Sequence, residues 1–453
     1  MADWARDAVF YHIFPLGLCG APERNDFSSA PVDRLDALLP WLDHVKGLGA
    51  DAVYLGPVFE SSTHGYDTAD YFNVDRRLGT NATLARFSRA VHEKGLRLVF
   101  DGVFNHVGRD FWAFRDLKEK LGRSQFASWF HALDFNGRSP CGDPFRYEGW
   151  SGHYSLVKLE TGNRDVRNHL FAAVDRWVEE FGIDGLRLDA ADCLDLDFLR
   201  ALSSHCRALS PDFWLMGEIV HGDYRKWINK EILDSVTNYE CYKGLYSSHV
   251  DANYFEIAYS LNRLFGPQGI YRDLTLYNFA DNHDVNRVAS TLKDIGDLEP
   301  LYCLLFTMPG APSVYYGSEW GIQGRKNGTD WPLRPRLDLA TAGNAGAMPA
   351  LAGTIARLAA IRRSAPALRH GSYEQLHVAS RQFAFLRRLP EGGALVAVNS
   401  AGRPAALDVG LPGFPDGAWT DLLHPGEAFP ARQGRIRIAD VPAHGARVLA
   451  PRG

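Results

Sequence analysis

The sequence predicts an α/β protein: a (β/α)8 TIM barrel with a small inserted domain after its third strand and a C-terminal antiparallel β-sandwich domain. Three observations carry this. Eight short apolar, β-rich runs recur between residues 8 and 319, with helical patterns between them. The interval from residue 104 to residue 183 is too long for one helix and its loops. Beyond residue 366 the texture changes to short strands and turns.

The runs are AVFYHIF (8–14), DAVYLGPVF (51–59), LRLVFDGVF (96–104), IDGLRLDA (183–190), FWLMGEIV (213–220), LDSVTNYE (233–240), LTLYNFADN (274–282) and APSVYYGSE (311–319). Continuous apolar strands alternating with helices imply parallel strands covered on both faces; a doubly wound open sheet would share this alternation. Among the intervening stretches, LDALLPWLDHVKGLG (35–49) and NATLARFSRAVHEKG (81–95) are amphipathic, and the second ends in Lys-Gly as a helix C-terminus does. The barrel is assigned residues 1–104 and 166–366. The insert, 105–165, holds the Gly-, Pro- and aromatic-rich segments DFWAF and RSPCGDPFRYEGWSGHYS, and the sandwich occupies 367–453.

Composition narrows the function classes. A chain of 453 residues with 46% hydrophobic and 23% charged residues is an ordinary globular protein, not a disordered chain, coiled coil or collagen-like fibre. A net charge of -5 gives no support to a nucleic-acid or anionic-membrane partner. The sequence holds no run of apolar residues long enough to span a bilayer, and its start, MADWARDAVFYHIF, does not read as a secretion signal. Six cysteines (Cys19, Cys141, Cys193, Cys206, Cys241, Cys303) lie scattered with no CxxC pair, so reduced, mostly buried thiols in a cytoplasmic protein are expected.

The chemistry lies where strands end. Asp101, Asp189, Glu218 and Asp284 fall at or just beyond the C-terminal ends of four runs, and a barrel gathers its reacting groups at that end. One such acid alone would be a helix cap or loop ion pair; four at equivalent positions point to a site. Arg187 lies two residues before Asp189, on the same face of its strand, and is expected to keep that carboxylate ionised as a nucleophile. Glu218 sits between WLMG and Ile219–Val220, apolar surroundings expected to raise its pKa and suit a general acid. One charged and one protonable carboxylate about 5–5.5 Å apart is the requirement of retaining glycoside hydrolysis. Metal binding by the same acids is the rival, and the basic neighbours argue against it.

These segments also carry a likeness. DGVFNHVG (101–108), GLRLDAAD (185–192), GEIV (217–220) and FADNHD (279–284) resemble, in order, the four signature regions of the α-amylase family, glycoside hydrolase family 13. HGYDTADYF (64–72) and GAPSVYYGSEWG (310–321) extend the match. The resemblance implies Asp189 as nucleophile, Glu218 as general acid/base and Asp284 as the carboxylate that stabilises the transition state. It implies Tyr66 stacking under the sugar, His106, Arg187 and His283 binding its hydroxyls or aligning the acids, and Asp101 and Asn105 bracing the loop.

YSLVKLETGNRDVRNHL (154–170) resembles a fifth signature, that of the cyclomaltodextrinase, neopullulanase and maltogenic amylase group, departing at Leu156, Val157 and Glu160. Val220 stands where that group carries Trp, whereas His221 matches. The implied activity is retaining cleavage of α-1,4-glucosidic bonds in maltodextrins or cyclodextrins to maltose and glucose. Cyclic maltosyl-maltose hydrolase, α-glucanotransferase and α-1,6-acting enzymes share the motifs; a non-catalytic carbohydrate-binding homologue would typically lose an acid, and all three are present. The implied partner is an oligosaccharide, with no cofactor required. A structural calcium, held by Asn105 and the Cys193 carbonyl among others, is left open, as is the oligomeric state. With the first strand starting near residue 8, no N-terminal domain of the kind that group carries is expected.

Overall fold

All eight apolar runs form strands in the computed structural model, which describes residues 2–452. They are β1 (Phe10–Ile13), β2 (Ala52–Leu55), β3 (Arg97–Gly102), β4 (Gly185–Leu188), β5 (Trp214–Gly217), β6 (Ser235–Val236), β7 (Tyr277–Phe279) and β8 (Ala311–Tyr315). Parallel pairing runs β7–β8–β1–β2–β3–β4–β5–β6. A parallel bridge between Thr237 and Tyr277 joins β6 back to β7, so the sheet closes and the open doubly wound alternative falls.

Alternation along these strands builds the site. Phe10, Ala52, Val99, Trp214, Tyr277 and Ala311 face inward and pack as one apolar cluster, with Phe10 stacked on Trp214 at 4.8 Å. Two residues further on, the same face carries His12, Tyr54, Asp101 and Arg187, all buried. The interior therefore passes from an aromatic plug to a polar layer within one repeat of each strand. The alternate residues Tyr11, Val53, Leu98, Leu186 and Leu215 face outward into the helix layer.

The helix at Asn81–Glu93 is set by a capping box, Thr80 with Thr83, and is followed by Gly95 at φ 65°. The stretch 35–49 splits, with a 3-10 turn at Arg34–Leu38 leading into the helix Leu39–Gly47, where Pro40 occupies the first turn. The even alternation expected from sequence fails once: β5 and β6 are joined by only the 3-10 turn Tyr224–Lys226. Trp227, Ile228, Ile232 and Leu233 are buried there, so side chains of an irregular connection cover the barrel instead of a helix.

After β3 the chain leaves the barrel to form a three-stranded antiparallel sheet, His106–Gly108, Gly149–Trp150 and His153–Lys158, with a helix at Trp112–Lys120. From Ser372 to Pro451 eight strands form one antiparallel ladder. Along Gln382–Leu389 the residues Phe383 and Phe385 join the barrel's core while Ala384 and Leu386 join the sandwich's own. Burial on both faces explains why QFAFL reads as a continuous apolar run.

One arginine of this sheet, Arg387, binds it to the barrel without a carboxylate, and Arg362 of the barrel shares one of its acceptors. Arg387 donates to the carbonyls of Thr307 (2.7 Å), Leu368 (2.9 Å) and Gly371 (2.8 Å), and Arg362 to those of Leu368 (3.0 Å) and Gly310 (2.6 Å). Arg387→Met strands these buried acceptors and is expected to destabilise by roughly 3 kcal/mol or more. Urea unfolding reads this, and a change below about 1 kcal/mol would contradict the assignment.

Candidate active site

Each acid is delivered by a different strand. Asp101 is in β3, Asp189 follows β4 directly, Glu218 follows β5 directly, and Asp284 stands five residues beyond β7. One guanidinium joins three of them. Arg187 Nη1 donates to Asp101 Oδ1 at 2.9 Å and to Asp189 Oδ1 at 2.8 Å, while Nη2 lies 2.9 Å from Glu218 Oε2. Ala190, left-handed at φ 45°, turns its N–H onto Glu218 Oε2 at 3.1 Å. That conformation is uncommon for a residue with a Cβ, and strain of this kind concentrates at functional sites.

Two expectations about these acids need correction. Glu218 is not in apolar surroundings: besides Arg187 and Ala190 it accepts from the Tyr239 hydroxyl at 3.4 Å. Its neighbours in sequence face elsewhere, and the strand end turns the carboxylate inward. Nor does Arg187 simply hold Asp189 ionised. Burial pushes the Asp189 carboxyl up, Arg187 pulls it down, and the carboxylates of Glu218, Asp101 and Asp284 raise it again. One cation among three carboxylates leaves surplus negative charge in a buried place, and such a cluster retains a proton beyond the usual carboxylate range.

Asp284 has the opposite balance. Burial would raise it, but His283 Nε2 at 2.9 Å and Arg334 Nη2 at 2.9 Å hold it well below the usual range. Tyr66 stacks on His283 with ring centroids 5.2 Å apart, its hydroxyl meets His283 Nε2, and it donates to Asp101 at 2.9 Å. Its loop is pinned by the buried Arg77–Asp75 pair at 2.7 Å and by Gly65 at φ 91°, where a Cβ would fall 2.7 Å from Pro57. His106 opens the inserted sheet with Nε2 3.7 Å from Asp189 Oδ2, and burial pushes it down to about 3, so it is neutral. Its Nε2 and the Nδ1 of His283 are buried without a protein partner. All seven residues named from sequence thus converge on one place.

Sequence reasoning missed others. Tyr54 donates to Asp101 at 2.7 Å and stacks on His12 at 4.2 Å. Both sit two residues beyond inward apolar positions, so the alternation applied to Arg187 would have found them. Arg334, 50 residues from Asp284 and 4.4 Å above the Phe14 ring, offered no such signal.

The positions linked to calcium, Asn105 and the Cys193 carbonyl, lie beside basic or donor groups. Asn105 Nδ2 lies 3.2 Å from His106 Nδ1, and Lys158, paired with Glu148 at 2.8 Å, brings a positive charge near Cys193. Among the described residues no group of three or more His, Cys, Asp or Glu is placed to hold a metal. A hard dication needs a cage of carboxylate and carbonyl oxygens.

With this geometry in view, comparison with known proteins decides the family. Residues 33–346 match the model described as Alpha amylase, catalytic domain. The chain belongs to the alpha-amylase family. As a member it is a glycoside hydrolase, a carbohydrate-active enzyme that acts on α-glucans. A cyclomaltodextrinase from a Bacillus species is 31% identical over 420 residues, covering 88% of this chain and 73% of that protein. Neopullulanase 2 of Thermoactinomyces vulgaris is 30% identical over 472 residues, covering 98% and 77%. Among solved structures, the cyclic α-maltosyl-(1→6)-maltose hydrolase of Arthrobacter globiformis superposes with a TM-score of 0.81 at 28% identity, over 99% of both chains. No helix among the described residues of this alpha-amylase family member is long and apolar enough to cross a membrane.

Two outcomes follow for the enzyme. Asp101→Asn removes one negative charge and frees a guanidinium hydrogen for Asp189, so both limbs of the pH profile of kcat/KM are expected to move to lower pH; an upward shift would contradict the shared-charge account. A chelator is expected to leave Tm unchanged, and a fall of several degrees would reveal a cation site.

Proposed function

We propose that the enzyme cleaves α-1,4-glucosidic bonds of maltodextrins or cyclodextrins with retention of configuration, releasing maltose and glucose. The observation that carries this is the binding of Asp189 and Glu218 to the two ends of one guanidinium, at 2.8 and 2.9 Å. Two carboxyl groups held that closely leave little room for a water between them, which favours double displacement.

In the first step an Asp189 oxygen attacks the anomeric carbon while Glu218 gives its proton to the glycosidic oxygen; the bond to the leaving sugar breaks and a glycosyl ester of Asp189 forms. In the second step Glu218, now a carboxylate, takes a proton from water, whose oxygen displaces Asp189 from the same carbon. Two inversions give net retention. Asp284, held ionised by His283 and Arg334, stabilises the positive charge that develops at the ring. The bare ring nitrogens of His106 and His283 supply hydrogen-bonding capacity for sugar hydroxyls, and Tyr66 presents the platform beneath. The chemistry runs on these side chains alone and needs no cofactor. The relatives named cyclomaltodextrinase and neopullulanase support the substrate class, and the relative named intracellular maltogenic amylase supports a cytoplasmic setting.

The likeness to the cyclic maltosyl-maltose hydrolase over 99% of both chains supports a second reading, hydrolysis of that cyclic tetrasaccharide. Incubation with cyclodextrins, linear maltodextrins, cyclic maltosyl-maltose and starch, with separation of products, distinguishes the readings. Faster release of maltose and glucose from the first two is expected; the tetrasaccharide as best substrate supports the second reading, and equal or faster hydrolysis of starch contradicts both. Asp189→Asn and Glu218→Gln are each expected to lower kcat about a thousandfold or more, and full activity in either refutes the assigned roles.

A further inference from the structure

The loop after β7 carries Asp284 and then Arg287, a second charged side chain that turns back into the protein. Asp281 and Asn282 shape that loop. Asp281 Oδ2 accepts from the Val288 N–H at 2.8 Å, and Asn282 Oδ1 accepts from the N–H groups of Asp284 at 2.8 Å and Val285 at 3.2 Å. Short polar side chains that bond nearby backbone in this way fix a turn. The turn leaves Asp284 partly exposed and sends Arg287 into the interior, where it is fully buried.

There the Arg287 guanidinium grips two carbonyl groups. Nε donates to that of Leu333 at 3.0 Å and Nη1 to that of Tyr316 at 2.6 Å. Nη1 also reaches Ser318 Oγ at 3.1 Å, and that hydroxyl donates to Asp281 at 2.9 Å. The rings of Tyr315 and Tyr316, with centroids 4.1 and 4.9 Å from the guanidinium carbon, cover the cation. Leu333 directly precedes Arg334. Its carbonyl takes a second donor, the Tyr315 hydroxyl at 3.2 Å, and the carbonyl of Pro335, just beyond, accepts from the Tyr316 hydroxyl at 2.9 Å. The Arg334 carbonyl packs so closely on Gly17 that a Cβ there would fall 2.2 Å from its oxygen. The backbone is thus held before, at and after Arg334, whose own guanidinium donates to the His283 carbonyl at 3.0 Å and to Asp284 Oδ1 at 2.9 Å. Asp284 and Arg287 leave one loop, and the second anchors the residue that grips the first.

We propose that Arg287 is a positioning residue for the reaction: acting through the Leu333 carbonyl, it sets Arg334 against Asp284. The inference rests on the retaining α-glucan hydrolase reading, in which Asp284 stabilises the charge that develops at the sugar ring. A carboxylate with that task must be held to within about 0.5 Å by partners that are themselves locked. Arg334 follows a 3-10 turn, Trp331–Leu333, too short to be rigid by itself. Arg287 supplies the anchorage that turn lacks, because a planar fork of donors buried against two rings fixes a direction as well as a charge.

The test is a double-mutant cycle read on fluoride release from α-maltosyl fluoride. Arg287→Met is expected to lower kcat about tenfold or more while KM changes less than about threefold, because the interaction it serves is made in the transition state. In an Arg334→Met background the same substitution is expected to lower kcat no further, within about twofold. Equal losses in the two backgrounds, or no loss in the parent, overturn the proposal, since a residue that only supports the fold acts whether or not Arg334 is present. Tyr315→Phe repeats the cycle with the buried cation retained, so the test stands even where Arg287→Met fails to fold. It removes one neutral donor from the Leu333 carbonyl, and a loss of about threefold is expected with Arg334 in place and none without it; equal losses again overturn the assignment. A parent enzyme that releases no fluoride fails differently, by refuting the hydrolase reading itself.

Discussion

Arg187 donates to Asp101 and Asp189 through one nitrogen and meets Glu218 with the other, and most of the architecture can be understood as the means of keeping that arrangement. Removing a guanidinium and three carboxylates from water is costly, and only close, well-directed contacts offset it. The closed barrel provides them, because neighbouring strands β3, β4 and β5 in parallel register place Asp101, Arg187 and the strand end before Glu218 side by side. Beneath lies the packed layer of Phe10, Trp214 and Tyr277, which holds water out from below.

The same guanidinium explains how two carboxyl groups can take different parts. A single positive charge cannot neutralise three negative ones, so the cluster as a whole holds a proton beyond the usual carboxylate range. Asp284 stands apart from that cluster, because His283 and Arg334 keep it charged whatever the cluster holds. The opposite behaviour of Asp189 and Asp284 thus arises from how the basic groups are distributed, not from burying one acid in an apolar pocket.

That contrast marks how much of the protein was legible in its sequence. Strand ends and alternation located Asp189, Glu218, Asp284 and Arg187, since these follow from local period and from parallel strands sharing one end, whereas Tyr66 came from the family resemblance. The electrostatics were not legible, because they depend on which side chains of distant strands meet. The apolar neighbours of Glu218 along the chain are not its neighbours in space. Arg334 illustrates the same limit from the other side: it acts on Asp284 from a loop whose position only the closed barrel defines. The missing helix between β5 and β6 was hidden because Trp227, Ile228, Ile232 and Leu233 mimic a covering helix in composition while packing as irregular chain.

The central claim is that Asp189 and Glu218, brought together on Arg187, act in succession on one anomeric carbon. Proton NMR of the sugar released in the first turnovers, recorded before mutarotation, tests it most directly. The account requires the α-anomer to appear first and relax slowly towards the equilibrium mixture. Initial release of the β-anomer would mean a single displacement by water, and would contradict the roles given to both carboxylates.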